Sequence, residues 1–260
     1  MNPFQTHGAF SWQEYLASDI SPALDYYTQL LGLTISEMPM PDGTYTMLHS
    51  NSKRVAGFMA CPPGVPPCWT YYVTVHDIYR LLEENELNLI VPLQEIPMIG
   101  SFAGFLDPYG AYLAVIQYNE SSESDEEAIA SSQEALTTHG AFSWFELHTS
   151  EPKAAADWYS KLFGWSIRKI ETPSDYYIFS ANGTEIGGIM ALTDPEISPH
   201  WSCIVTVDDV DAVQSKATEL GGAILVPAFD LPEVGRLLYT LDPIGIPLAF
   251  GTWAPQVSEG

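Results

Sequence analysis

The chain has 260 residues, of which 46% are hydrophobic and 12% aromatic, as in a globular protein of one or two domains. Its 33 acidic residues outnumber 9 basic ones, and a net charge of −24 disfavours nucleic-acid and membrane partners. Residues 1–7 lack the features of a secretory leader, and three scattered cysteines suit a reducing compartment. We therefore expect a cytoplasmic protein.

The chain contains an internal repeat. The segment from His7 to Trp12 recurs letter for letter from His139 to Trp144, an offset of 132 residues. The offset persists through both first helices and becomes 135 later on, where Asp107-Pro108 aligns with Asp242-Pro243. A three-residue difference near the end of one helix would explain the change. A repeat of this length indicates a duplicated domain.

The region between the copies is rich in acidic, serine and alanine residues, which is typical of a solvated linker. We therefore predict a first domain at 1–118, an acidic linker at 119–138 and a second domain at 139–260. The later part of the linker, 126–136, could form one or two helical turns.

Each copy shows the same order of elements. In the second copy, 143–149 alternates as a half-buried strand, with Trp144, Glu146 and His148 on one face. A helix at 153–163 and three short strands at 165–171, 176–180 and 185–192 follow. The order then restarts with a strand at 201–207, a helix at 210–220, and strands at 223–229, 237–242 and 247–251. The chain is thus an α+β protein of four βαβββ modules.

Several motifs carry a resemblance to a known superfamily. Both copies end in a hairpin of the form Asp-Pro-x-Gly, at 107–110 and 242–245, and share a first-helix ending that closes on Gly32 or Gly164. In this order, twice, the motifs resemble the vicinal-oxygen-chelate superfamily of glyoxalase and bleomycin-resistance proteins. The Trp-x-Glu first strand and Val234-Gly235-Arg236 look most like a two-domain branch labelled glyoxalase-like or hydroxylase. The resemblance implies tandem domains, each a cupped mixed sheet with helices outside.

The resemblance also implies where metal ligands would stand. Metal-dependent members bind a divalent ion through histidine, glutamine or glutamate on equivalent strands. The matching positions here are Trp12, Thr70 and Ala114 in the first copy and Trp144, Ser202 and Ala249 in the second. Indole, hydroxyl and methyl groups are poor ligands or none, so we expect neither metal nor another cofactor.

Three polar side chains are candidate catalytic residues. Glu146, beside an indole, should have a raised pKa and could act as a base or anchor an amine; it could equally bond to backbone or reach the domain interface. His148 continues the same strand face, although a satisfied structural histidine is an alternative. Arg236, aligned with Ser101, could hold a carboxylate or enolate, or instead form a surface ion pair with Glu233 or Asp230.

The aromatic residues on the predicted strands suggest a wall for a flat or apolar ligand, although most of them could be core. The candidate ligand-binding residues are Trp144, Trp201, Tyr177, Glu14, Trp12 and Trp69.

We consider three functions. The first is binding of a small organic molecule without chemistry. The second is a metal-independent lyase or isomerase with Glu146 as base and Arg236 as oxyanion partner. The third is a scaffold of paired domains. For any of these functions, the chain could form a homodimer, or a pseudo-dimer through its two domains.

Overall fold

The computed structural model of the protein describes residues 1–40, 43–61, 64–119, 127–171 and 175–254. Within these ranges, sixteen strands form two eight-stranded mixed sheets. The first repeat comprises β1 Phe10–Ala17, α1 Ser21–Leu31, β2 Thr34–Met40, β3 Gly43–Ser50, β4 Lys53–Ala60, β5 Cys68–Thr74, α2 Ile78–Glu84, β6 Asn88–Ile96, β7 Gly100–Leu106 and β8 Tyr112–Tyr118.

The second repeat has the same order. It comprises β9 Phe142–Thr149, α4 Pro152–Phe163, β10 Ser166–Ile170, β11 Tyr176–Ala181, β12 Thr184–Ala191, β13 His200–Thr206, α5 Val210–Glu219, β14 Ala223–Leu231, β15 Gly235–Leu241 and β16 Pro247–Trp253. A short helix, α3 Ser132–Ala135, precedes it. The predicted α+β class, with two βαβββ modules in each repeat, is confirmed.

The two sheets share one topology. The first has the strand order β2-β3-β4-β1-β5-β8-β7-β6, and the second β10-β11-β12-β9-β13-β16-β15-β14. The first strand of each module therefore lies at the centre of its sheet. Parallel pairing, as between β9 and β12, occurs beside these central strands, and antiparallel hairpins lie toward the edges.

The helices begin and end as the sequence predicts. Pro22 and Pro152 lie in the first turns of α1 and α4, and both helices end at a left-handed glycine, Gly32 or Gly164. The helix α5 has ten residues whereas α2 has seven, which accounts for the change of offset from 132 to 135. Among the described residues, no helix combines the length and apolar composition that a membrane span requires.

Part of the predicted linker is packed. Ala128 and Ala135 are buried, the carbonyl of Ala135 accepts a hydrogen bond from Thr206 Oγ1, and Glu134 forms an ion pair with Lys53 at 3.2 Å. The composition of the segment does not predict these contacts, because Thr206 and Lys53 lie far away in sequence.

By their internal contacts, the residues group into two compact units, and each unit draws on both repeats. One contains Met1–Glu14, Thr70–Ser132 and Trp144–Ser202, and the other Tyr15–Trp69, Gln133–Ser143 and Cys203–Gly260. Each unit thus combines modules from the first and the second repeat. The domain boundaries read from the repeat stay a prediction.

A chain of three buried side chains recurs in both units. In the first unit, Trp201 Nε1 donates to Tyr159 Oη at 3.1 Å, and Tyr159 Oη donates to Asp107 Oδ2 at 2.9 Å. Asp107 Oδ1 accepts from the backbone amides of residues 109 and 111, so the carboxylate fixes its Asp-Pro-x-Gly turn. Burial raises the pKa of Asp107.

The second unit repeats the arrangement with the roles of the repeats exchanged. Trp69 Nε1 donates to Tyr27 Oη at 3.4 Å. Asp242 Oδ2 accepts from Tyr15 Oη at 2.6 Å and from Tyr27 Oη at 3.4 Å. In each unit, the turn aspartate of one repeat is therefore bound by a tyrosine of the other.

Candidate functional site

The candidate site lies on one face of β9, where a tyrosine joins two of the predicted residues. Trp144 Nε1 donates to Tyr176 Oη at 2.9 Å, and Tyr176 Oη donates to Glu146 Oε1 at 2.8 Å. The side chain of Glu146 is only 7% exposed. Burial and these bonds hold the carboxylate in one orientation.

Tyr176 reaches Glu146 because a glycine lies between them. Tyr176 is paired with Met190, and Glu146 with Gly188, so the tyrosine extends diagonally over β12. A Cβ atom at Gly188 would overlap the Tyr176 ring. The missing side chain therefore allows the ring to lie across the strand.

His148 adds an imidazole to this face. Its Nε2 lies 3.1 Å from Ser202 Oγ and 3.9 Å from Glu146 Oε2, and its ring stacks on His200 with centroids 4.9 Å apart. Burial, followed by the nearby His200, lowers the pKa of His148 to about 4. The imidazole is therefore neutral at pH 7 and can accept or donate a hydrogen bond without forming an ion pair.

The first repeat has diverged at the same positions. Glu14 is also buried, but its Oε2 accepts a 2.6 Å hydrogen bond from Tyr72, a residue that aligns with Ile204. Leu16 stands where the second repeat has His148, and Thr70 where it has Ser202. The Thr70 hydroxyl is buried and has no hydrogen-bond partner among the described residues.

Three of the predicted ligand-binding residues lie elsewhere. Trp69 and Trp201 are buried at 9% and 6% exposure, and both belong to the tryptophan–tyrosine–aspartate chains described above. Tyr177 is buried on the side of β11 opposite to Tyr176, with Lys169 Nζ 5.7 Å from its ring centroid. By alternation along β13, Trp201 also faces away from Ser202.

Arg236 forms surface ion pairs. Its guanidinium binds Asp211 through Nε and Nη2, both at 2.8 Å, and Asp230 through Nη1 at 3.0 Å. Asp230 is one of the two partners that the sequence suggested, and Asp211 is an additional one in the first turn of α5. These account for its hydrogen bonds in the described part of the chain.

The positions at which the superfamily holds a metal do not fit one. Ala114 is paired with Tyr72, and Ala249 with Ile204. At these positions the last strands therefore carry methyl groups, which cannot ligate a metal. Across the described ranges, no group of three or more histidine, cysteine, aspartate or glutamate side chains could hold a metal ion. Glu146 and His148 supply only two such groups.

Tyr176 is one of the aromatic residues on the predicted strands, but the sequence did not predict its bond to Glu146. Its partnership with Glu146 depends on the register between strands, which alternation within one strand does not give. A signal was nevertheless present, because Tyr45 and Gly57 repeat the twelve-residue spacing of Tyr176 and Gly188. A Cβ atom at Gly57 would overlap Tyr45 in the same way.

The arrangement offers a ligand a defined set of groups. They are a buried carboxylate, a neutral imidazole, a serine hydroxyl and a partly exposed indole. The carboxylate can accept hydrogen bonds or take a proton, and the indole can stack on a ring.

Sequence comparisons find relatives that span almost the whole chain. Residues 141–250 match the Glyoxalase/Bleomycin resistance protein/Dioxygenase superfamily. The chain is 29% identical over 260 residues to "Putative glyoxylase CFP32" of Mycobacterium tuberculosis, covering 96% of each. It is 28% identical over 262 residues to the anthracycline biosynthesis protein DauV of a Streptomyces species, covering 92% of this chain and 90% of the relative.

Solved structures show the same fold at low sequence identity. The 2,3-dioxygenase LapB from Pseudomonas sp. KL28 superposes with a TM-score of 0.64 at 12% identity, covering 95% of this chain and 92% of that one. The Mn(II)-bound glyoxalase from Novosphingobium aromaticivorans gives 0.62 at 11% identity, covering 96% and 83%. At these identities, the likeness concerns the fold alone.

Proposed function

We propose that the chain, whose residues 141–250 match the Glyoxalase/Bleomycin resistance protein/Dioxygenase superfamily, is a member that binds a small organic molecule on the Glu146 face of its second repeat. In this proposal, the ligand is held by hydrogen bonds and stacking, without the metal ligands of the superfamily.

One observation carries the proposal, namely the chain of hydrogen bonds from Trp144 through Tyr176 to Glu146. Burying a carboxylate costs free energy, and the hydrogen bond from Tyr176 offsets part of that cost at Glu146. Held by Tyr176, the carboxylate is oriented in advance, so the Glu146 side chain would lose less conformational entropy when a ligand binds. A neutral His148 beside it supplies a second hydrogen-bonding group.

The names of the relatives support a small organic ligand. One relative is named as a glyoxylase and another for anthracycline biosynthesis, and both names refer to small organic compounds. Neither name specifies the ligand of this chain.

The second candidate is a lyase or isomerase that uses Glu146 as general base. The observation in its favour is the carboxylate held 3.9 Å from an imidazole that is neutral at pH 7. Arg236, the proposed oxyanion partner, forms ion pairs with Asp211 and Asp230 and would have to break them to bind an oxyanion.

The binding proposal is tested by screening small aromatic and aliphatic fragments with ligand-observed NMR, after native mass spectrometry of the purified protein has reported any bound molecule or metal. We expect a subset of fragments to bind the native chain and to lose binding in Glu146→Gln, while the melting temperature changes little. Glu14→Gln is the matched control and should retain that subset. If no fragment distinguishes the two variants, the ligand site is not at Glu146.

The same fragments separate binding from catalysis. Carbonyl-bearing fragments that bind are incubated in D2O, and exchange of the C–H next to the carbonyl is followed by NMR. Exchange that disappears in Glu146→Gln would favour the lyase or isomerase. Binding without exchange would favour a binding protein.

A further inference from the structure

Each repeat begins with a segment that is hydrogen-bonded to the first strand of its second module. In the first repeat this segment is 1–9, where Gly8 N donates to Thr74 O and Thr74 N donates to Ala9 O, both at 2.8 Å. Thr74 Oγ1 also donates to Pro3 O at 2.7 Å. The equivalent segment of the second repeat, 133–141, has the same three bonds at 2.8 Å, which are Gly140 N to Thr206 O, Thr206 N to Ala141 O, and Thr206 Oγ1 to Ala135 O.

A histidine adds a fourth bond to each segment. His7 Nδ1 accepts from the backbone N–H of His76, and His139 Nδ1 accepts from the backbone N–H of Asp208, both at 3.2 Å. A ring nitrogen that accepts carries no proton, so each imidazole is neutral and has its proton on Nε2. A proton added to Nδ1 would remove the bond and place two N–H donors against each other.

The two repeats differ in what they offer such a proton. Asp208 Oδ2 lies 3.3 Å from His139 Nδ1, so a carboxylate is in place to accept the new N–H and to balance its charge. The first repeat has an imidazole at this position. The ring of His76 lies 5.3 Å from that of His7 between centroids, and its Nε2 donates to Gln5 O at 3.1 Å. A second imidazole supplies no negative charge.

The charged groups around His7 do not replace that carboxylate. No residue before His7 has a charged side chain. Asp77, which follows His76, accepts a hydrogen bond from the Arg80 amide, and the Arg80 side chain pairs with Glu84 at 2.8 Å. Burial, followed by the nearby His76, lowers the pKa of His7.

From these contacts, we infer that His7 and His76 form an acid-sensitive switch, which releases residues 1–9 from β5 in mild acid while the equivalent segment of the second repeat stays bound. Once released, His7 regains the ordinary histidine pKa of 6.5, so the released state takes up more protons than the bound state. The bound state is therefore fully favoured above pH 6.5 and is lost as the pH falls toward the lowered pKa of His7. Release also separates the Phe4 ring from that of Tyr118, 5.2 Å away.

Hydrogen exchange of single amides, measured by NMR on the full chain, tests the switch. Protection factors correct each exchange rate for the intrinsic effect of pH. Between about pH 7.5 and about pH 5.5, we expect the protection of the Gly8 and His76 amides to fall by up to about tenfold, the factor for one proton taken up about one pH unit below 6.5. The protection of their equivalents, Gly140 and Asp208, should not fall.

The second repeat supplies matched variants. His76→Asp gives the first repeat the histidine–aspartate pair of the second and should remove the fall in protection at Gly8. Asp208→His makes the converse change and should cause protection at Gly140 to fall in acid. His7→Asn keeps an oxygen acceptor that does not titrate and should also remove the fall at Gly8. This variant decides the question if His76→Asp fails to fold.

Three results would overturn the inference. The first is constant protection at Gly8 and His76 across the pH range. The second is an equal fall at all four amides, which would report acid unfolding of the whole chain. The third is a fall at Gly8 that persists in His76→Asp and His7→Asn. None of these measurements involves a ligand, so the inference stands or fails independently of the function proposed above.

Discussion

Tyr159 Oη donates a 2.9 Å hydrogen bond to Asp107 Oδ2, although the two residues belong to different repeats. The bond ties the first helix of the second repeat to the last turn of the first. Tyr27 and Asp242 form the converse pair at 3.4 Å. The duplication is therefore held together by reciprocal contacts between its copies, in addition to the covalent linker.

We predict that Tyr159→Phe lowers the free energy of unfolding by about 1–3 kcal/mol, because a buried carboxylate loses its donor and Trp201 loses its acceptor. Chemical denaturation measures the difference. Tyr79→Phe, on an exposed tyrosine of α2, is the control and should have no measurable effect. Equal stability of the two variants would contradict a stabilising role for the bond.

We predict that Gly188→Ala abolishes ligand binding at the Glu146 site, because a methyl group there displaces the Tyr176 ring. The expected loss of stability is about 1–3 kcal/mol, as for overpacking of a buried site. Gly57→Ala is the matched control, since it displaces Tyr45 in the first repeat and should spare that binding. Retained binding in Gly188→Ala would show that Tyr176 does not orient Glu146.

The sequence predicts the order of elements and the three residues of the candidate site that lie on β9. Alternation in β9 places Trp144, Glu146 and His148 on one face, as found. The partners of these residues depend on strand register, and β11 and β12 are offset by a bulge after Phe179 that no local pattern reveals. The pairing of Arg236 with Asp211, 25 residues away, is likewise a consequence of tertiary structure.

We predict that His148 makes the protein less stable in mild acid. Because burial lowers its pKa from 6.5 to about 4, the folded state binds fewer protons than the unfolded state between these values. Stability is therefore fully present above pH 6.5 and declines as the pH falls toward 4, by up to about 3 kcal/mol.

The measurement is the free energy of unfolding of the native chain and of His148→Gln across that pH range. The charged or titratable groups facing the imidazole are His200, which opposes its protonation, and Glu146, which favours it when ionised. We expect the difference between the two proteins to shrink by the stated amount toward pH 4 if Gln keeps the bond to Ser202. Parallel curves would mean that His148 titrates normally.

We predict that adding divalent metals does not raise the melting temperature of the protein, and that chelating them does not lower it. The reason is the donor set, since the two positions on the last strands are alanines. A site with a micromolar dissociation constant would add about 4 kcal/mol at millimolar metal. Melting temperatures with zinc, manganese and nickel, and after chelation, should agree. A stoichiometric metal that disappears in Ser202→Ala would contradict the prediction.

Because each compact unit contains modules of both repeats, the loss of one repeat would affect both units. A deletion that removed either repeat would take away modules from both units, including the tyrosine or the aspartate of each reciprocal pair. A single repeat would therefore lack the partner residues that its own tyrosine and aspartate bind in the duplicated chain. The copies can then differ on their strand faces, as they do at Leu16 and His148, while the residues that bind the copies together are constrained as a set.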